Sequence, residues 1–287
     1  MCPRMTAVDP EPPGLIPPNG PKRSVRNIAL RDGVQQSRRS SNADGSSDMS
    51  GAASRFLYLT RHGEASPDES ALTARGRRQA RLLGERLRRF PLSTIYHGPL
   101  PRAEQSARLI GDQLDNVPIH VTEAAGDFVP YVPEVAELPP ASVDYLVRRL
   151  KQIPPEERTQ GPELAREALS QFTGPADDDE PRHELVVTHN FLIAWLVRAA
   201  LDAPNWRWLG LNHCNAALTI IQYAPQRPSS VLTYNDMAHL PEDLRWTGFP
   251  LGFITKPAPS SGPQREASES LPAGKSLSRI VAKPLCI

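Results

Sequence analysis

Two short apolar runs, each stopped by a histidine, constrain this chain more than any other feature. Phe56-Leu57-Tyr58-Leu59-Thr60 runs into Arg61-His62-Gly63, and Glu184-Leu185-Val186-Val187-Thr188 runs into His189-Asn190 and the apolar residues 191–201. Runs this short, bounded by a turn or a helix start, read as strands buried on both faces. Between them the period changes. Leu72-Thr73 opens a stretch with Ala80, Leu83 and Leu87 at helical spacing amid arginines and glutamates, the pattern of a surface helix with one apolar face. Thr94-Ile95-Tyr96 is a second strand. Pro99 and Pro101 bracket the entry to a helix carrying Ala103, Ala107, Ile110 and Leu114 on one face, since proline is favoured where a helix needs no N–H. Residues 119–122 make a third strand, 141–152 and 162–172 two helices split by Pro154-Pro155, and 217–223 and 231–234 the last strands. Strands alternating with amphipathic helices predict an α/β fold, a three-layer α/β/α sandwich around a mostly parallel sheet.

Composition sets the limits of that domain. Proline is abundant, 31 residues against 18 glycines, and unevenly placed. Residues 1–54 hold seven prolines and no apolar period, too little to offset the entropy of ordering them, and residues 256–287 are again rich in Pro, Ser and Gly. Both are expected to be disordered extensions of a domain at 55–255. The tails carry +2 and +3, so a chain of net charge +1 leaves −4 on the domain, and any anion site there must be local. Near-neutral charge and 6% aromatics speak against a nucleic-acid binder. Cys2, Cys214 and Cys286 define no disulfide framework and no zinc site, so a reducing cytoplasm is expected. No run reaches the roughly 18 apolar residues of a membrane span. Arg38-Arg39 is followed by polar residues instead of a signal's apolar stretch, and Met49 is a candidate natural start.

In a sheet of this kind ligands collect beyond the carboxyl ends of the strands. His62 and His189 both lie there. Arg61 adjoins the first, and Arg102 falls in the opening turn of the helix after the second strand. Two guanidiniums, two imidazoles and nearby helix N-termini describe a pocket for a phosphoryl dianion. Arginine forks neutralise phosphoryl oxygens, and an imidazole can attack phosphorus.

These residues resemble a known family. Leu59-Thr60-Arg61-His62-Gly63-Glu64 is similar to the signature of the histidine phosphatase superfamily, with its phosphoglycerate-mutase-like fold. Leu72-Thr73-Ala74-Arg75-Gly76-Arg77-Arg78-Gln79-Ala80 resembles the family's following helix start. Residues 98–107, from Gly98-Pro99 through Arg102 to Ala107, resemble the segment with the second arginine, and Val186-Val187-Thr188-His189-Asn190 the one with the second histidine. The resemblance implies a phosphatase in which His62 attacks a phosphomonoester and becomes phosphohistidine while Arg61, Arg102 and His189 hold the oxygens. It implies no metal and no other cofactor, because the arginines supply the charge. It further implies a carboxylic acid after the third strand that protonates the leaving oxygen. There the chain departs from a clear match and offers both Glu123 and Asp127, Asp127 being favoured for its place between the Gly126 turn and a stiff proline segment. Mutases of the family carry additional basic segments after the second arginine, where this chain has the proline-rich residues 129–140; hydrolysis ranks above phosphoryl transfer to another hydroxyl. A phosphate-pocket binding protein with little turnover is the reading from another class.

The expected substrate is a phosphorylated small molecule or phosphoprotein, under a lid of residues 127–172 with a rim of Phe128, Val129, Tyr131 and Val132. No nucleic-acid or membrane partner is expected. Glu64 reads as a loop charge, His97 as a core or rim residue, Trp195, Trp206 and Trp208 as packing, and Cys214 as an inert thiol. His120, His183, His213 and His239 have no paired ligand spacing, so zinc is not expected.

Overall fold

A computed structural model describes residues 52–250. The expectations for the tail at 256–287, for Met49 and for nearly all of residues 1–54 lie outside the described residues. Backbone pairing already begins at Ala53, which exchanges hydrogen bonds of 3.1 and 3.0 Å with Ala176.

The elements follow in the order β1 (Arg55–Arg61), α1 (Ala74–Leu87), β2 (Thr94–His97), α2 (Pro101–Gly111), β3 (Ile119–Val121), α3 (Val143–Leu150), α4 (Pro155–Phe172), β4 (Arg182–Thr188), α5 (Asn190–Ala200), β5 (Leu218–Tyr223) and β6 (Ser230–Asp236). One six-stranded sheet has the order β3-β2-β4-β1-β5-β6. The pairs β3/β2, β2/β4 and β4/β1 are parallel, while β5 runs against both β1 and β6. This is the mostly parallel sheet predicted above.

Alternation along the central strands sorts the core into two layers. Leu57 and Leu59 of β1, with Val186 of β4, face Ala165, Ala168 and Phe172 of α4 and Leu192, Ile193 and Leu196 of α5. Tyr58, Leu185 and Val187 point the other way, toward Ala80, Leu83 and Leu87 of α1 and Ala107 and Ile110 of α2. Each central strand is therefore buried on both sides, the physical cause of its unbroken apolar run. Burying the Leu, Val, Ile and Phe side chains among them is worth about 1.5 to 3 kcal/mol each.

Two helices differ from their predicted bounds. Pro154-Pro155 does not merely separate α3 from α4; Pro155 opens α4, where a proline costs no hydrogen bond, and Pro162 sits inside the helix. The first helix of that pair is shorter than 141–152, because residues Pro140–Ser142 form a separate 3-10 turn before α3. β3 is an edge strand with all three residues exposed.

The register decides where chemistry can occur. Arg61 pairs with Thr188 across β1 and β4, so the two strands end level and deliver His62 and His189 side by side.

Candidate active site

His62 is held by its neighbours on every side. Its backbone N–H donates to the Thr188 carbonyl at 2.9 Å, and Asn215 Nδ2 donates to its own carbonyl at 2.9 Å. The ring nitrogens can be told apart. Nδ1 lies 2.7 Å from the Gly63 carbonyl, which can only accept, so Nδ1 carries the proton. Arg102 Nε, which can only donate, lies 3.2 Å from Nε2, so Nε2 presents its lone pair. Burial holds the imidazole well below its ordinary pKa, and His189 and Arg61 push it the same way. The ring is thus neutral at pH 7, with Nε2 toward the pocket.

Arg102 follows Pro101 in the first turn of α2, so that proline's fixed φ and the helix start aim its guanidinium at the sheet edge. Ser106, one turn on, donates to the Arg102 carbonyl at 2.8 Å and accepts the Gly63 N–H at 3.0 Å, tying α2 to the loop after β1. Arg102 Nη2 reaches two carboxylates, Asp127 at 2.8 Å and Glu69 at 3.3 Å. His189 occupies the N-cap position of α5 without a side-chain capping bond, its ring 5.0 Å from that of His62. Burial, then Arg102 and Arg61, hold it neutral also. Its Nδ1 stands 3.4 Å from Asp127 Oδ2, and neither ring nitrogen has a hydrogen-bond partner among the described residues. Arg61 Nη1 donates to the carbonyls of His213 at 3.0 Å and Gly248 at 2.7 Å.

Of the six residues singled out from the sequence, the structure brings His62, Arg61, Arg102, His189 and Asp127 together. Glu123 is left outside. It opens a 3-10 turn, is exposed, and its carboxylate forms no hydrogen bond or ion pair with the pocket. The turn explains the difference. Glu123–Ala125 buries Ala124 and Ala125, Thr188 Oγ1 donates to the Ala125 carbonyl at 2.7 Å, and a Cβ on Gly98 would meet that same oxygen at 2.3 Å. This close approach throws residue 127 over the pocket and residue 123 away from it. Behind Asp127 stands Glu157 of α4, whose carboxylate accepts the Val129 N–H; burial, then the charge of Asp127, push its pKa up.

Glu64 belongs to the local scaffold, accepting from Thr73 Oγ1 at 2.8 Å and pairing with Arg75 at 3.2 Å. His97 repeats the geometry of His62 at the end of β2, with Nδ1 on the Gly98 carbonyl at 2.7 Å, and contacts no pocket group. Trp208 is buried and donates to the Tyr131 carbonyl at 3.0 Å, while Trp195 stacks with Tyr131 and carries the Arg198 guanidinium over its ring. Burial raises the Cys214 thiol pKa. Among the described residues no three His, Cys, Asp or Glu side chains gather as metal ligands, and no helix is long and apolar enough to cross a membrane.

Sequence reading missed Glu69, Ser106, Asn215, Glu157 and the Gly248 carbonyl. Ser106 lies one helical turn from Arg102, and the others act through contacts made by the fold at separations in sequence that no spacing rule links.

Two imidazoles and two guanidiniums converging at the carboxyl ends of parallel strands define a protein with a pocket for a phosphoryl dianion. The family model for the histidine phosphatase superfamily (branch 1) matches residues 57–236, and the chain belongs to that superfamily. The chain is 29% identical over 195 residues to the nematode protein named serine/threonine-protein phosphatase Pgam5, mitochondrial, of Caenorhabditis elegans, covering 66% of this chain and 65% of that one. The human protein of the same name is 26% identical over 245 residues, 80% of each chain. The chain thus spans somewhat less than two thirds of the nematode relative it matches. Among solved structures, Bacillus stearothermophilus YhfR is similar with a TM-score of 0.50 and 25% identity, over 64% of this chain and 98% of that one.

Proposed function

We propose that the domain is a phosphomonoester hydrolase working through phosphohistidine on His62, with phosphorylated protein side chains as its substrates. The observation that carries this reading is the desolvated, unprotonated Nε2 of His62, fixed by the Gly63 carbonyl on one side and Arg102 Nε on the other. A pure binding site has no need of such a nucleophile.

In the first step Nε2 attacks phosphorus in line as the ester oxygen leaves with a proton from Asp127. Arg61, Arg102 and His189 hold the equatorial oxygens. In the second step the Asp127 carboxylate takes a proton from water, the resulting hydroxide attacks phosphorus, and the N–P bond breaks to release phosphate and neutral His62. The arginines supply the charge, so no metal is assigned. The names of the nematode and human relatives support a phosphoprotein substrate. The same names place those proteins in mitochondria; for this chain the cysteine pattern favours a reducing compartment, the cytoplasm. Residues 55–255 form the catalytic domain in this reading, with 1–54 and 256–287 as extensions.

Hydrolysis of an aryl phosphate with EDTA present, by wild type and His62→Ala, tests the reaction. Turnover that is lost in the variant, together with an acid-labile, base-stable phosphoenzyme in the wild type, is expected. Turnover retained in His62→Ala would overturn the mechanism, and a folded wild type without turnover or phosphoenzyme would leave a binding protein.

A further inference from the structure

Glu69 is the pocket residue that a phosphate site would not be expected to contain. Its carboxylate lies 3.3 Å from Arg102 Nη2, the same nitrogen that Asp127 engages at 2.8 Å, so two anions share one arm of the guanidinium. The Glu69 side chain is about one third exposed, at 36%, whereas Arg102 is buried, which sets Glu69 at the mouth and not on the floor. Its position is built rather than casual. Glu69 has φ +59°, a left-handed conformation that costs a residue with a Cβ energy and persists only where the surroundings enforce it. They do so here: Ser66 N–H donates to the Ala71 carbonyl and Glu69 N–H to the Ser66 carbonyl, both at 2.8 Å, while the side chains of Ser66 and Ser70 both donate to Asp68. Leu72 N–H fixes the end of the loop to Gln105 Oε1 of α2 at 2.9 Å, on the helix that carries Arg102.

An anion held at that place acts on whatever surrounds the scissile phosphoryl group. We infer that Glu69 is a specificity-determining residue that rejects phosphoesters with a second negative charge beside the phosphate and favours those with cationic neighbours. The inference rests on the phosphatase reading above and names the substrate class within it: phosphorylated side chains flanked by lysine or arginine. Asp68 on the same loop and a domain charge of −4 add to the bias. In the mechanism above Arg61 and Arg102 take the phosphoryl oxygens and Asp127 the leaving oxygen, so of the two carboxylates on Arg102 Nη2 Glu69 is the one left to meet the flanking residues.

The test compares two phosphothreonine peptides of equal length, one with lysines and one with glutamates on both sides of the phosphothreonine, on wild type, Glu69→Gln and Glu69→Lys. The readout is the ratio of kcat/KM for the basic to the acidic peptide, which cancels any common loss of folded enzyme. The ratio is expected to fall about tenfold from wild type to Glu69→Gln, the order of one like-charge contact at a partly exposed site, and to fall further in Glu69→Lys. A ratio that stays the same across the three proteins, or that does not follow the charge at position 69, overturns the inference while leaving the hydrolase reading intact. If the wild type hydrolyses an aryl phosphate but turns over neither peptide, the phosphoprotein reading fails while the hydrolase reading stands, and the ratio of the two peptides' Kd values from calorimetry decides the fate of Glu69 in the same way.

Discussion

Arg102 Nε and His62 Nε2 stand 3.2 Å apart, with the imidazole proton committed to the Gly63 carbonyl on the far side of the ring. One guanidinium therefore does two things: its Nε orients the nucleophile and its Nη2 reaches the carboxylate that stands opposite. A lysine has one charged point and cannot do both. Arg102→Lys is expected to lower kcat/KM for an aryl phosphate by about 10² to 10³, of the order of losing one preorganised donor, while the far-UV circular dichroism stays that of wild type. Steady-state kinetics on the two proteins check this.

Asp127 and Glu123 are separated by their consequences for the leaving group. If Asp127 donates the proton, Asp127→Asn slows phosphoenzyme formation from an alkyl phosphate by about 10² and from a nitrophenyl phosphate much less, because nitrophenolate leaves without a proton, while hydrolysis of the phosphoenzyme, where Asp127 is the base, slows equally for both. Glu123→Gln is expected to match wild type on both substrates, since its carboxylate touches nothing in the pocket. Equal losses in the rate of phosphoenzyme formation from the two substrates in Asp127→Asn would remove the acid role.

Gly248 tests the support of Arg61. It has φ +72°, its carbonyl accepts from Arg61 Nη1, and a Cβ there would lie 2.3 Å from Asn215 Oδ1 and 2.8 Å from Arg61 Nη1. Asn215 in turn donates to the His62 carbonyl. Gly248→Ala is expected to weaken phosphate as a competitive inhibitor by about tenfold and to destabilise the fold by about 1 to 3 kcal/mol, the size of an enforced left-handed or clashing residue. Inhibition constants and urea midpoints report the two effects separately.

Buried neutral histidines make the fold sensitive to acid. His62, His189 and His213 are all buried, and burial holds His213 down to about 3, with Nε2 2.6 Å from Thr219 Oγ1. A histidine whose pKa is lowered on folding binds more protons when unfolded, so its contribution is full above the unfolded pKa near 6.5 and is lost as pH falls below it. For His213 alone the loss between pH 7.5 and 5 is about 2 kcal/mol. Urea unfolding at the two pH values is expected to show a lower midpoint at pH 5. A His213→Gln variant should show a shallower pH dependence, and an unchanged slope would mean that His213 is protonated in the fold.

Much of this was legible in the chain because it is local. Buried parallel strands announce themselves as apolar runs, a proline marks a helix's first turn, and His62, Arg61, Arg102 and His189 each sit beside such a mark. The bounds of α3 and α4 were less legible, since proline both opens and interrupts helices and only packing chooses between the two. The Gly126 turn and the prolines after it tilted the choice toward Asp127 over Glu123 but left both open. Four residues apart on a proline-flanked loop, they differ in sequence only by Asp127's place between the Gly126 turn and the prolines, and their places relative to the pocket are set when Gly98 and Thr188 pack against the Ala125 carbonyl. Nor could the sequence reveal Glu69, Glu157 or Gly248 as neighbours of the pocket, for they come from a loop, a helix and a late turn far apart in the chain. By itself the sequence determined the sheet, the two strand-end histidines and the arginines, because periodicity and helix-start chemistry are properties of short segments. Tertiary structure decided which carboxylates meet Arg102 and which carbonyls hold Arg61, because those contacts depend on how the segments pack, and packing is a property of the whole fold.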